Sequence, residues 1–146
     1  MKSEPDTFSI DHLQKKKKAG WDGVRNYQAR NLMRDQMKKG DLVLFYHSSC
    51  KVPGVAGLAK ISKESHPDLT QFDKTSKFYD PKATPDKPRW FMVEVEFVKK
   101  FKNVFPLAEI KKTKGLEHML VLQKGSRLSI NPVTEKEFQI IMRSNE

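Results

Sequence analysis

The side chains in this chain best suited to catalysis or metal binding are four histidines and one cysteine. His12, His47, His66 and His118 stand at no metal-ligand spacing from one another or from Cys50. There is no glycine-rich phosphate loop and no nucleophile elbow. His47 and Cys50 are three residues apart and could form a nucleophile pair, but a cysteine in a loop beside a strand is ordinarily an inert thiol. Glu94 and Glu96 alternate along one face of a strand, where solvation explains them. No enzyme constellation survives, so neither catalysis nor a metal nor another cofactor is expected.

A binding signal remains. Trp90 falls out of register with the core face of its strand, sharing a side with Met92, Glu94 and Glu96. A large indole there either covers a helix or lines a pocket. Trp21 sits in the glycine-bracketed turn GWDG, where it lines a site or plugs the end of the fold. Arg25 and Arg30 flank the start of a helix, where free N–H groups favour phosphate; either could instead pair with a nearby aspartate. Aromatic rings beside a basic helix start suit a base splayed out of its stack, with arginines on the backbone.

The net charge of +10, from 28 Lys and Arg against 18 Asp and Glu, points to a polyanionic partner or simply to solubility. The length of 146 residues suits one domain with its own core, spanning 1–146. The lone cysteine excludes an internal disulfide. No apolar run is long enough to span a bilayer, and no signal peptide follows Lys2. The lysines at 15–18 close a short helix as a solvated face. The default is a monomer in the cytoplasm or at the nucleoid, with no membrane contact.

These residues need elements to hold them. Ser9 predicts a helix start, with Asp11 in the first turn and Ile10 and Leu13 inward. Asn26 caps a second helix over 27–39, striped by Ala29, Leu32, Met33 and Met37 and stopped by Gly40. The run 41–48 is apolar on both faces, as in a strand between layers. Its partner covers 55–62, where Gly57 and Ala59 let another group approach closely. A long ordered loop fills 66–88, with Phe72, Phe78 and Tyr79 interspersed. A strand over 89–101 turns Phe91, Val93, Val95 and Phe97 to one side. Helical turns follow near 107–110 and 116–122, and then a last strand over 127–130. A C-terminal helix has a Thr134–Glu137 capping box and a Val133–Phe138 staple. The pattern is α+β, a small mixed β-barrel with peripheral helices.

The blocks KSEPDTFSID (2–11), WDGVRNYQARNLMR (21–34), KGDLVLFYHSSC (39–50), PGVAGLAKI (53–61), DPKATPDKPRWFMVEVEFV (80–98) and RLSINPVTEKEF (127–138) resemble the EVE-domain family, in order over nearly the whole chain. That resemblance implies a PUA-like barrel related to the YTH readers of methylated adenine. It also implies a pocket for a modified base, methylated or hydroxymethylated cytosine in DNA being the usual suggestion. By matching motifs the pocket takes Ser3 and Glu4, then Trp21, Arg25 and Asn26, then Tyr46, His47 and Ser48, and finally Arg89 and Trp90. Ser3, Asn26 and Ser48 are expected to read the base edge. His47 is expected to be structural or base-contacting rather than a general base. Family members usually carry a few more residues ahead of KSEP, including an aromatic pair ending in Trp. The first strand is therefore expected to be short, with any wall from that Trp missing or replaced. The absence of a long basic extension favours a bacterial-type protein. The partner expected is DNA with modified bases, or RNA of the transfer or ribosomal kind. A small-metabolite binder and a hydrolase using His47 with Glu4 are the remaining rivals.

Overall fold

The run that is apolar on both faces lies between two hydrophobic cores. In the computed structural model, which describes residues 1–123 and 128–145, it forms β3 (Leu42–His47). Val43 and Phe45 point into one cluster, with Ile10, Leu13, Ala29 and Met33. Leu44 and Tyr46 point into the other, with Ile110, Leu116, Met119 and Ile141. The strand period of two places alternate residues on opposite faces, so one short segment anchors both layers.

Among the described residues the sheet has five strands in the order β1-β3-β4-β5-β2. The others are β1 (Lys2–Ser3), β2 (Lys18–Gly20), β4 (Gly54–Pro67) and β5 (Phe91–Pro106). β1 runs parallel to β3, and the remaining pairs are antiparallel. The fold is mixed α+β. The sheet does not close into the expected barrel, because β1 and β2 are its two edges and do not pair with each other. β4 and β5 are longer than their hydrophobic patterns, since polar residues such as Lys63 and Glu94 still pair across the ladder.

Among the described residues four α-helices flank the sheet: α1 (Ile10–Lys16), α2 (Tyr27–Asp35), α3 (Leu107–Lys112) and α4 (Glu135–Ser144). Ser9 caps α1, and Asn26 caps α2 by accepting from the Ala29 N–H at 3.0 Å. The Thr134–Glu137 capping box opens α4. α2 ends four residues before the expected 39. The N–H groups of Gln36 and Met37 both fall on the Leu32 carbonyl, and Asp41 then captures the Lys38 N–H at 2.8 Å. Gly40, at φ +93°, serves that turn into β3 rather than the helix stop. Lys18 belongs to β2 rather than to a helix end. The expected last strand is absent over Leu128–Ile130, although the Ser129 carbonyl accepts from the Lys2 N–H at 2.8 Å; Arg127 lies outside the described residues. No described helix is long and apolar enough to cross a membrane.

Gly57 sits where β4, β5 and α1 come closest. A Cβ there would press on the Lys99 carbonyl and lie 2.9 Å from the Ile10 side chain. Backbone cannot yield as a flexible side chain can. Gly57→Ala is therefore expected to cost about 1–3 kcal/mol, read as a lowered urea midpoint with an unchanged slope. A midpoint equal to that of the unaltered chain would refute the close approach.

Candidate nucleic-acid interface

The turn Trp21–Gly23 is fastened on both sides. The Trp21 N–H donates to the Val93 carbonyl at 2.8 Å, and the Gly23 N–H donates to Asp68 Oδ2 at 2.8 Å. Gly23 has φ +79°, which favours glycine, and the Phe78 ring lies where a Cβ would project. Trp21 is half-buried, edge-on to Phe45 at 5.6 Å and to Phe8 at 6.3 Å. Lys2 and Ser3 of β1 and Ala19 and Gly20 of β2 line the same cleft of about 740 Å³. The two free edges of the sheet thus border one concavity.

Its walls are aromatic and apolar at Phe8, Trp21, Val24 and Phe78. Its charged groups are Lys2, Lys16, Arg25 and Lys77 against Glu4 and Asp22. A second cleft of about 600 Å³, between the end of α2, β3 and residues 130–138, has neither tryptophan nor a basic side chain in its lining. Among the described residues no group of three His, Cys, Asp or Glu side chains could hold a metal ion.

Of the ten expected site residues, the structure brings Ser3, Glu4, Trp21, Arg25 and Asn26 to this cleft. The Ser3 hydroxyl donates to the Phe8 carbonyl at 2.6 Å, leaving its oxygen as an acceptor. Arg25 is not a free phosphate hook. Its guanidinium donates to the carbonyls of Phe78 and Val24, to Asp68 Oδ2 at 3.1 Å and to Thr70 Oγ1 at 3.1 Å. The aspartate pairing weighed for this arginine is the one adopted. Burial alone would raise the pKa of Asp68, which has no exposed surface. Hydrogen bonds from the Thr70 hydroxyl, the N–H groups of Gly23 and Thr70, and Arg25 outweigh it and hold the carboxylate below its ordinary value.

Arg89 and Trp90 form a neighbouring cluster outside the cleft lining. Trp90 precedes β5 rather than sitting within it, and only 6% of it is exposed. Its ring stacks on Tyr27 of α2 at 4.8 Å, Arg25 lies 5.3 Å from its centroid, and its N–H donates to Asp80 at 2.8 Å. The indole covers a helix, the other role its register allowed. Arg89 donates to the Tyr27 hydroxyl at 2.7 Å. Buried Gln71 ties this cluster down, accepting from the N–H groups of Arg89 and Trp90 and donating to the carbonyls of Asp68 and Trp90.

Tyr46, His47 and Ser48 also lie outside the cleft lining. Tyr46 is core on the opposite face of the sheet. The Ser48 N–H donates to the Ser3 carbonyl at 2.9 Å, which holds β1 in place. His47 is buried, and its Nε2 accepts from the Ile10 N–H at 3.1 Å, capping α1 from across the sheet. Nothing in the pattern singles out Asp68 or Gln71, whose partners are distant in sequence. Phe78 and Asp22 were visible only as members of the long loop and of GWDG.

Two outcomes follow. Arg25→Ala leaves the buried Asp68 charge short of a partner, and is expected to cost about 3 kcal/mol in denaturant unfolding. An unchanged midpoint would mean that Arg25 does not hold the loop. Burial lowers the pKa of His47 below its ordinary 6.5, with nearby Lys100 adding and Asp11 opposing. The unfolded chain therefore binds the proton more readily. The contribution of His47 is full above about 6.5 and is lost as pH falls below it. His47→Gln keeps an acceptor for Ile10, so its melting temperature should fall less between pH 7 and pH 5 than that of the unaltered chain. Parallel curves would count against a neutral His47.

The EVE domain model matches residues 1–144. Thymocyte nuclear protein 1 from Homo sapiens is 47% identical over 164 aligned residues, covering 100% of this chain and 72% of that protein. A crystal structure from Pseudomonas syringae superposes with a TM-score of 0.94 at 50% identity, covering 100% of this chain and 97% of the other. The human THYN1 protein, solved in complex with 5-methylcytosine containing DNA, superposes with a TM-score of 0.90 at 46% identity, covering 100% of this chain and 95% of that one. With its model matched from end to end and relatives near half identity over the whole chain, this protein belongs to the EVE domain family.

Proposed function

We propose that this chain reads nucleic acid, holding one modified cytosine, lifted from the base stack, in the cleft between β1 and β2. The observation that carries this reading is the aromatic, basic-rimmed cleft, in a chain 46% identical to a protein solved on 5-methylcytosine DNA. Lifting a base costs a few kcal/mol, so single strands, mismatches and weakened pairs bind best. Stacking on Trp21 or Phe78 returns about 1–3 kcal/mol. Lys2, Lys16 and Lys77 meet the phosphates, since Arg25 is occupied by the protein itself. The Ser3 oxygen and the Asn26 amide lie where they can contact the base edge, whereas His47, Tyr46, Trp90 and Arg89 support the walls.

That both edge strands, β1 and β2, line one cleft supports a PUA-like barrel left open there, built as one domain. The reading is of binding without turnover, by a monomer, with a cytoplasmic place beside DNA.

The test is a panel of single-stranded and duplex oligonucleotides carrying cytosine, 5-methylcytosine or 5-hydroxymethylcytosine, with RNA counterparts, followed for both affinity and product. Tighter binding of modified DNA without product supports the function; equal binding of all, or release of product, sinks it. In the same assay Phe78→Ala should weaken binding by about 1–3 kcal/mol through lost stacking. Lys16→Ala should weaken all sequences alike and reduce the salt slope by roughly one phosphate. A changed base preference in Lys16→Ala would contradict its backbone role.

A further inference from the structure

A cleft that recognises methylated cytosine in DNA faces a competitor that a methyl pocket cannot reject. 5-Methylcytosine and thymine share the ring and the C5 methyl. They differ at position 4, an amine against a carbonyl, and at N3, an acceptor against an N–H. Thymine is abundant in DNA, so shape and methyl contacts alone would fill the cleft with it. An acceptor facing position 4 supplies that rejection, because a carbonyl set against an acceptor leaves both unpaired.

The ionisable acceptors in the cleft lining are Glu4 and Asp22. Asp22 is the better held. Its neighbours Trp21 and Gly23 are both fastened through their N–H groups, so its short side chain is carried by a fixed turn, and it lines the same cleft as Trp21. No other described residue donates a hydrogen bond to its carboxylate or forms an ion pair with it, although the chain carries a net charge of +10. Partial burial and the nearby Asp68 charge raise its pKa, against the opposing pull of its own N–H, Arg25 and Lys16. Glu4 has a longer arm and more rotamers to lose.

We propose that Asp22 reads position 4 of the bound pyrimidine, accepting from the exocyclic amine of cytosine-type bases and turning away thymine and uracil. Carboxylates accepting from the cytosine amine are an established pairing in base recognition. The inference rests on the base-reading function proposed above.

The experiment uses the full chain and four single strands that differ in one central base: 5-methylcytosine, cytosine, thymine or uracil. Affinity is read by fluorescence anisotropy. The unaltered chain is expected to prefer 5-methylcytosine over thymine, and cytosine over uracil, by about tenfold. Asp22→Asn should bring both ratios to within about twofold and leave the ratio of 5-methylcytosine to cytosine as it was. Asp22→Ser repeats the measurement without an amide that could itself donate. Because Asp22 is exposed, both variants are expected to melt with the unaltered chain. Glu4→Gln should keep the position-4 preference. Amine preference surviving in Asp22→Asn and Asp22→Ser, or collapsing in Glu4→Gln instead, would overturn the assignment alone. A chain that senses the methyl but not the amine would do the same. Equal binding of all four strands by the unaltered chain would overturn the base-reading function, and this inference with it.

Discussion

Asp68 keeps its charge with no exposed surface, because four hydrogen bonds from three parts of the chain converge on it. A carboxylate in that position is costly unless every lone pair is used. Gly23 reaches it from the turn after β2, Arg25 from the approach to α2, and Thr70 from the loop before β5. One buried charge therefore ties the Trp21 turn, which lines the cleft, to the loop that precedes β5. Gln71, three residues on, does the same for Trp90 with a neutral amide.

The sheet supplies the other half of the arrangement. β3 anchors two cores, and β4 and β5 are long and twisted by several register shifts. The edges β1 and β2 are two and three residues long, too short to offer much unpaired backbone to another chain. Both border the cleft, whose apolar lining at Phe8, Ala19, Trp21 and Val24 belongs to one of the two cores.

Charge is divided between struts and the cleft rim. The arginines nearest the site, Arg25 and Arg30, are spent on carbonyls, side-chain acceptors and aromatic faces. They act as struts, and the planar, many-donor guanidinium is well made for that work. The other cations of the cleft lining are the lysines Lys2, Lys16 and Lys77. The acidic groups at the cleft are Glu4 and Asp22, whose charge opposes entry of an anion.

Much of the fold was legible in local pattern. The Ser9, Asn26 and Thr134 caps, the two-faced strand and the tight approach at Gly57 all follow from short-range rules that the chain obeys, whereas the expected 66–88 loop gives up His66 and Pro67 to β4 and Leu69–Phe72 to a 3-10 helix. The motifs at Ser3, Glu4, Trp21, Arg25 and Asn26 were also legible, and these residues do share one cleft. Other features depended on contacts far apart in sequence. The end of α2 was decided by Asp41 and the turn into β3, not by helix propensity. Trp90 became a strut because Tyr27, 63 positions away, supplies a face for its ring. Arg25 became a structural cation because a buried aspartate 43 residues on was waiting for it. Residue type and spacing determine what a side chain is able to bind; which partner it takes depends on what the tertiary structure brings within about 3 Å, the reach of a hydrogen bond.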